Sequence, residues 1–221
     1  MNKLLSILAG LLILITVQVQ AQGSRGLGSN DPDAKKILDA VSNKFKSFKS
    51  VKAKFALKIE NATGKSVGNK AGSVYMKGTR YRISLPGQDI FSDGTTTWTY
   101  DKTANEVTIN KLDPTANSIT PQKLFTNFYD KDFLYKLNGI VKVNGKPMQE
   151  VELTPIDKTK TYFKVLVYVN SSIINSTKVM EKTGNKYTYS INNMVTNGVI
   201  EDGVFVFDQK KYPGVEVVDL R

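Results

Sequence analysis

Val51-Lys52-Ala53-Lys54-Phe55-Ala56-Leu57-Lys58-Ile59-Glu60 changes face at every residue. Val51, Ala53, Phe55, Leu57 and Ile59 fall on one side of an extended chain, and Lys52, Lys54, Ala56, Lys58 and Glu60 on the other. Successive side chains of a strand point to opposite faces, so this stretch predicts a long strand with one buried and one wet face. The same period continues toward the C-terminus. Residues 72–77 and 80–85 are strands, the second with Tyr81, Ile83 and Leu85 against Arg80, Arg82 and Ser84. Residues 89–92 and 95–100 flank Asp93-Gly94, a hairpin turn signal. Further strands fall at 106–111, 140–143, 148–153, 162–170, 177–182, 186–192, 204–207 and 215–219. On the strand at 162–170, Phe163, Val165, Val167 and Val169 share a side. No βαβ alternation is present. The pattern predicts a mainly β fold: a large antiparallel sheet of about eleven strands, curled toward a barrel, with helices as a cover.

Two segments carry the helical period. Asp31 can cap free backbone amides and Pro32 suits a first helical turn. Ala34, Ile37, Leu38, Val41, Phe45 and Phe48 then recur on one face. Thr120-Pro121 repeats the cap-then-proline start, followed by Leu124, Phe125, Phe128 and Tyr129 at helical spacing, with Phe133, Leu134 and Tyr135 beyond. This aromatic insertion interrupts the strands. The helical residues Leu38, Val41, Phe45, Leu124, Phe125 and Phe128 are the candidate lid. The alternating faces make Phe55, Leu57, Ile59, Tyr81, Ile83, Trp98, Tyr100, Phe163 and Val165 the candidate walls of an apolar cavity. The same alternation also describes ordinary core.

Residues 1–21 have a short positive region at Lys3, an apolar run over 4–17, and small residues at Val19 and Ala21. That is the pattern of a secretory signal peptide cleaved after Ala21. The run is shorter than the ~20 apolar residues of a spanning helix. Residues 22–30, rich in Gly and Ser, are expected to be a flexible lead-in, and 31–221 a single domain. The chain has neither Cys nor His. A Ser-His-Asp triad, a Cys nucleophile and the usual zinc sites are therefore excluded. No cofactor and no metal is expected. The net charge of +11 favours anionic partners: membrane headgroups, acidic protein surfaces or anionic sugars. Lys44, Lys46, Lys49, Lys52, Lys54 and Lys58 form a basic cluster that is either a docking surface or a solvated face. Nucleic acid is not expected as a partner of an exported protein.

Several segments, in order, resemble the outer-membrane lipoprotein carrier (LolA) family. They are Ser92-Asp93-Gly94 followed by Trp98 and Tyr100, then Glu152-Leu153-Thr154-Pro155, then Phe205-Val206-Phe207, and last Tyr212-Pro213-Gly214-Val215-Glu216-Val217-Val218-Asp219. The resemblance implies an incomplete, half-open antiparallel β-barrel of about eleven strands covered by a helical lid, in a periplasmic monomer whose cavity holds the acyl chains of lipoproteins. It implies receipt of cargo from an inner-membrane ABC transporter and delivery to an outer-membrane acceptor, with no catalysis. One departure stands out. Typical members carry Lys-Arg-Pro after the strand corresponding to 72–77, and that arginine latches the lid. Here Gly78-Thr79 follows Lys77. Two other functions compete. A stress regulator of the RseB type shares the fold but normally carries an added domain, for which about 200 mature residues leave little room. A polysaccharide-acting enzyme would need a carboxylate pair, for instance among Asp89, Asp93 and Asp101.

Overall fold

The computed structural model describes residues 30–112 and 129–221. The expected signal peptide, almost all of the lead-in and the Thr120 helix with Leu124, Phe125 and Phe128 lie outside the described residues.

Helix α1 (Pro32–Lys46) begins as its sequence predicts. The Asp31 carboxylate accepts from the Asp33 backbone N–H at 2.9 Å, with Pro32 in the first turn. A four-residue helix, α2 (Tyr129–Asp132), precedes β7. The strands are β1 (Val51–Glu60), β2 (Ser66–Lys77), β3 (Arg80–Leu85), β4 (Gln88–Ser92), β5 (Thr96–Asp101), β6 (Glu106–Lys111), β7 (Phe133–Val143), β8 (Lys146–Pro155), β9 (Tyr162–Asn170), β10 (Ile173–Glu181), β11 (Lys186–Thr196) and β12 (Glu216–Asp219). All twelve form one open sheet in the order β12-β6-β5-β4-β3-β2-β1-β11-β10-β9-β8-β7. Two antiparallel meanders, β1–β6 and β7–β11, are joined where β1 pairs with β11. Among the described strands only β12 runs parallel to its neighbour, β6.

The mainly β, half-open architecture matches the sequence pattern, with twelve strands among the described residues where about eleven are expected, and two local expectations are corrected. Phe133, Leu134 and Tyr135 open strand β7 instead of extending a helix, because Phe133 and Tyr135 bury on one side while Lys136 and Asn138 are exposed on a period of two. Residues 204–207 are not a strand, since Asp202–Phe205 forms a 3-10 turn that seats the fully buried Phe205.

Tight turns hold the meanders. Asn144 and Gly145, at φ of 50° and 77°, make the two-residue link between β7 and β8. Ser171 and Ser172 link β9 and β10 with φ of 49° and 59°, a conformation that serine adopts at a cost.

Three apolar clusters result. Ala34, Leu38 and Val41 of α1 pack on β7–β10. Phe45 and Phe48 pack on Val51, Ala53, Met76 and Tyr81. Phe91, Val107, Phe207 and Val215 form a third cluster with Trp98, Tyr100 and Tyr212.

Candidate functional site: an apolar cavity under the first helix

Between α1 and the sheet lies a cavity of about 580 Å³. Side chains of β2, β3 and β4 and of β8, β9 and β10 line the same space, although these strands are far apart in the sheet order. The sheet is therefore curled around it. Of the residues singled out from the sequence, Phe55, Leu57, Ile83 and Val165 line the cavity, and Leu38 and Val41 of α1 close it from above.

The remaining candidates fall elsewhere, each for a definable reason. Ile59 continues the inner face of β1 beyond the cavity and packs over Gly68. Tyr81 is on the inner face, but is buried with Phe45 and Phe48 under the end of α1. Burial pushes its hydroxyl pKa up, and a hydrogen bond with Ser92 works the other way. Phe45 is thus a packing residue of that corner.

Trp98 and Tyr100 are on the opposite face of the sheet. Ile90 lines the cavity and pairs with Thr99, so the inner face of β5 is Thr97 and Thr99. On β6 it continues as Thr108 and Asn110. Trp98 and Tyr100 point outward because the C-terminal segment covers that face. Tyr212 lies 4.6 Å from the Tyr100 ring and stacks on Phe207 at 4.4 Å.

Phe163 is displaced by a β-bulge. Lys164 pairs with Met180 and Tyr162 with Glu181, which leaves Phe163 as the extra residue. Tyr162 takes the inner position and stacks on Phe133, while Phe163 is 45% exposed.

Sequence reasoning passed over Tyr187, Tyr189 and Ile191, which alternate along β11 and line the cavity, and Glu181 at the end of β10. The period of two in β11 was the available signal. Gly72 lies beneath the Phe55 ring that lines the cavity. It pairs with Phe55, and a Cβ there would lie 2.5 Å from the Phe55 ring and 2.7 Å from the Ser84 carbonyl oxygen.

A polar network fastens α1 down. The Tyr129 hydroxyl donates to Asp39 at 2.6 Å, Lys35 is 3.1 Å from Asp39 and 3.4 Å from Asp130, and the Tyr135 hydroxyl donates to Asp130 at 3.2 Å. The Tyr129 hydrogen bond, then Lys35, hold the Asp39 carboxyl below the usual carboxylate range. Burial, then Asp39, push the Tyr129 hydroxyl upward.

The helix start does a second job. Asn30 and Asp31 accept from the backbone N–H groups of Tyr135 and Leu137, each at 3.2 Å, so they cover part of the outer edge of β7.

The corner where the latching arginine is missing is also occupied. Lys77 and Arg80 lie 2.8 and 3.0 Å from Asp202, and Arg80 stands over the Phe205 ring at 5.6 Å. Both cations thus hold the C-terminal turn. The Lys77 hydrogen bond, then Arg80, hold the Asp202 carboxyl low.

The carboxylates considered for catalysis have structural partners. Asp89 is ion-paired with Arg82 at 3.2 Å and Lys102 at 2.8 Å. Asp93 accepts from the N–H groups of Thr95 and Thr96, and Asp101 from those of Thr103 and Ala104. Among the described residues no cluster of acidic side chains could hold a metal ion. Among them, too, no helix is long and apolar enough to cross a membrane.

Fold and site together define a half-barrel with a helix-covered apolar cavity, a container rather than a packed sandwich. The model of the outer membrane lipoprotein carrier protein LolA matches residues 46–208, and the chain belongs to that family. It is 28% identical over 174 residues to an outer-membrane lipoprotein carrier protein of Pasteurella multocida (strain Pm70), covering 76% of this chain and 80% of the relative. Among solved structures, an uncharacterized conserved protein of Thermus thermophilus superposes with a TM-score of 0.56 at 11% identity, covering 85% of this chain and 99% of that one. MucB superposes with a TM-score of 0.50 at 15% identity, covering 87% of this chain and 67% of that one. These two likenesses concern the fold alone.

Proposed function

We propose that this protein is a periplasmic carrier, exported with loss of residues 1–21, that encloses acyl chains of lipoproteins in the cavity beneath α1. It takes them from an inner-membrane ABC transporter and yields them to an acceptor at the outer membrane, without chemical change. The single domain 31–221 suffices for the task as a monomer. The observation that carries this reading is the cavity wall: Phe55, Leu57, Ile83 and Val165 below, with Leu38 and Val41 above. Sequestering one CH₂ from water is worth about 0.8 kcal/mol, so a single acyl chain is stabilised strongly even by a loosely fitting cavity. A volume of about 580 Å³ lies within the ~300–1,000 Å³ usual for sites that enclose small ligands. The exposed lysines of the cluster at 44–58 give this carrier an electrostatic attraction to anionic membrane surfaces.

The test is release of lipoproteins. Spheroplasts that retain lipoproteins on their inner membrane are incubated with the purified protein and ATP, and the supernatant is analysed by mass spectrometry. The reading expects soluble one-to-one complexes with acylated proteins. Absence of any acylated protein from the supernatant, with an established carrier active in parallel, removes it. Capture of the periplasmic part of a membrane protein, with no lipid, would instead favour the regulator reading.

A further inference from the structure

Resting on the carrier reading, the geometry points to a head-group site at the β10–β11 end of the cavity: Glu181, with Tyr187 and Tyr189, selects ligands whose polar end is a protonated amine and disfavours ligands that end in an unpaired carboxylate or phosphate. Thr177, Val179 and Glu181 alternate along β10, and all three line the cavity. Glu181 is the one charged side chain among the described residues of that lining, in a protein whose net charge is +11.

Nearby lysines do not neutralise it. Lys182 donates to the Lys158 carbonyl, and Lys178 and Lys186 act on Glu60 on the outer face. Thr183 donates to one Glu181 oxygen at 3.1 Å, and no cation lies within ion-pair distance of Glu181 among the described residues.

Val179 pairs with Tyr187, so Tyr187 is the diagonal neighbour of Glu181 on the inner face. Tyr189 follows on the same face, 6.4 Å from the Phe55 ring and 41% exposed. At Tyr189 the cavity lining is thus in contact with solvent. Burial, then Tyr187 and Glu181, raise the Tyr189 hydroxyl pKa, so at neutral pH its phenol remains protonated and available to hydrogen-bond a head group. An acyl chain lying along Leu57 and Val165 brings its polar end to these groups. An ammonium there gains a partner, whereas an anion meets like charge in a partly desolvated place.

Two sources carry this chemistry, the free α-amine of a diacylated cysteine and the amine of an aminophospholipid. The experiment is displacement of a fluorescent acyl probe at pH 7 by dodecylamine, dodecanol and dodecanoate. The wild type should bind the amine about two- to five-fold tighter than the alcohol, as for a half-exposed ion pair. Glu181→Gln should abolish that preference and leave the alcohol unchanged, and Glu181→Lys should reverse it toward dodecanoate. Glu60→Gln makes the same change of net charge on the outer face and should leave the preference intact.

A second arm compares a dipalmitoyl-cysteinyl peptide, its N-acetylated form and dispersed phosphatidylethanolamine. Loss of affinity on acetylation, seen in the wild type but not in Glu181→Gln, assigns the α-amine. Dependence on Glu181 with the phospholipid alone assigns the aminophospholipid. An amine-to-alcohol ratio unchanged by Glu181→Gln, while dodecanol still displaces the probe, overturns the head-group site and leaves the carrier reading standing. Failure of dodecanol itself to displace the probe removes the cavity as an acyl site, and this inference with it.

Discussion

Asp39 and Tyr129 hold the cavity cover in place, and breaking their bond should loosen it measurably. The bond is 2.6 Å long and has an ionised acceptor, a class worth about 1.5–3 kcal/mol when shielded. The Asp39 side chain is 40% exposed, and solvent screening reduces the figure to about 1 kcal/mol. Tyr129→Phe should therefore raise the open fraction of α1 about five-fold. Asp39→Asn keeps an amide oxygen that can accept from the hydroxyl but loses the charge and the Lys35 ion pair, so it should also raise the open fraction, and adding Tyr129→Phe to it should raise the fraction further by less than Tyr129→Phe does alone. Hydrogen exchange of the α1 amides, compared with those of β8 as an internal reference, reports this opening.

The pH dependence has a definite sign. The folded-state pKa of Asp39 is depressed, so its contribution is fully present above the ordinary carboxylate range and is lost as pH falls through the lowered value. Protection of α1, corrected for intrinsic exchange, should be flat between about pH 5 and pH 8 and fall below about pH 4. In Asp39→Asn that acid-induced loss should largely disappear. Equal α1 exchange in wild type and Tyr129→Phe, with β8 unchanged, would refute the latch.

Further outcomes follow from packing. Phe205→Ala removes a fully buried ring under Arg80 and should cost about 3–5 kcal/mol in urea unfolding, with the C-terminal segment becoming protease-sensitive. Gly72→Ala forces a Cβ against the Phe55 ring and the Ser84 carbonyl, so it should destabilise by about 1–3 kcal/mol. A variant with Phe55→Leu added should recover only part of that, since the carbonyl remains in the way. Ser172→Gly relieves a left-handed serine and should stabilise by about 1 kcal/mol, raising the thermal midpoint.

The periodicities show which residues share a face, and much of the site follows from that. Leu38 and Val41 are legible from the helical stripe, and Phe55, Leu57 and Ile83 from the alternation of their strands. Periodicity does not say which face of a strand another segment will cover. Thr97, Trp98, Thr99 and Tyr100 alternate as regularly as β1, yet their large side chains turn outward to meet Phe207 and Tyr212. That pairing joins residues about a hundred positions apart and has no local signature. Phe163 fails for a different reason. One extra residue in β9 reverses the inside and outside of everything before it, and no turn residue marks the bulge. Glu181 lies within the strand predicted at 177–182, but a single acidic residue at a strand end does not show that its face will meet a cavity until the curl of the sheet brings it there.

The central claim is that acyl chains occupy the cavity rather than the outer surface. Trp98, the only Trp of the chain, lies on the outer face with Phe91 and Phe207 and is a built-in control. Tyr187→Trp in a Trp98→Phe background places the sole indole on the cavity wall. Titration with a bromine-substituted dodecanol, whose heavy atom quenches only on close approach, compares the two positions. The account predicts saturable quenching of the indole introduced at position 187 and none of Trp98 in the wild type. Quenching of Trp98 with none at 187 would place the chain outside the cavity and contradict the account.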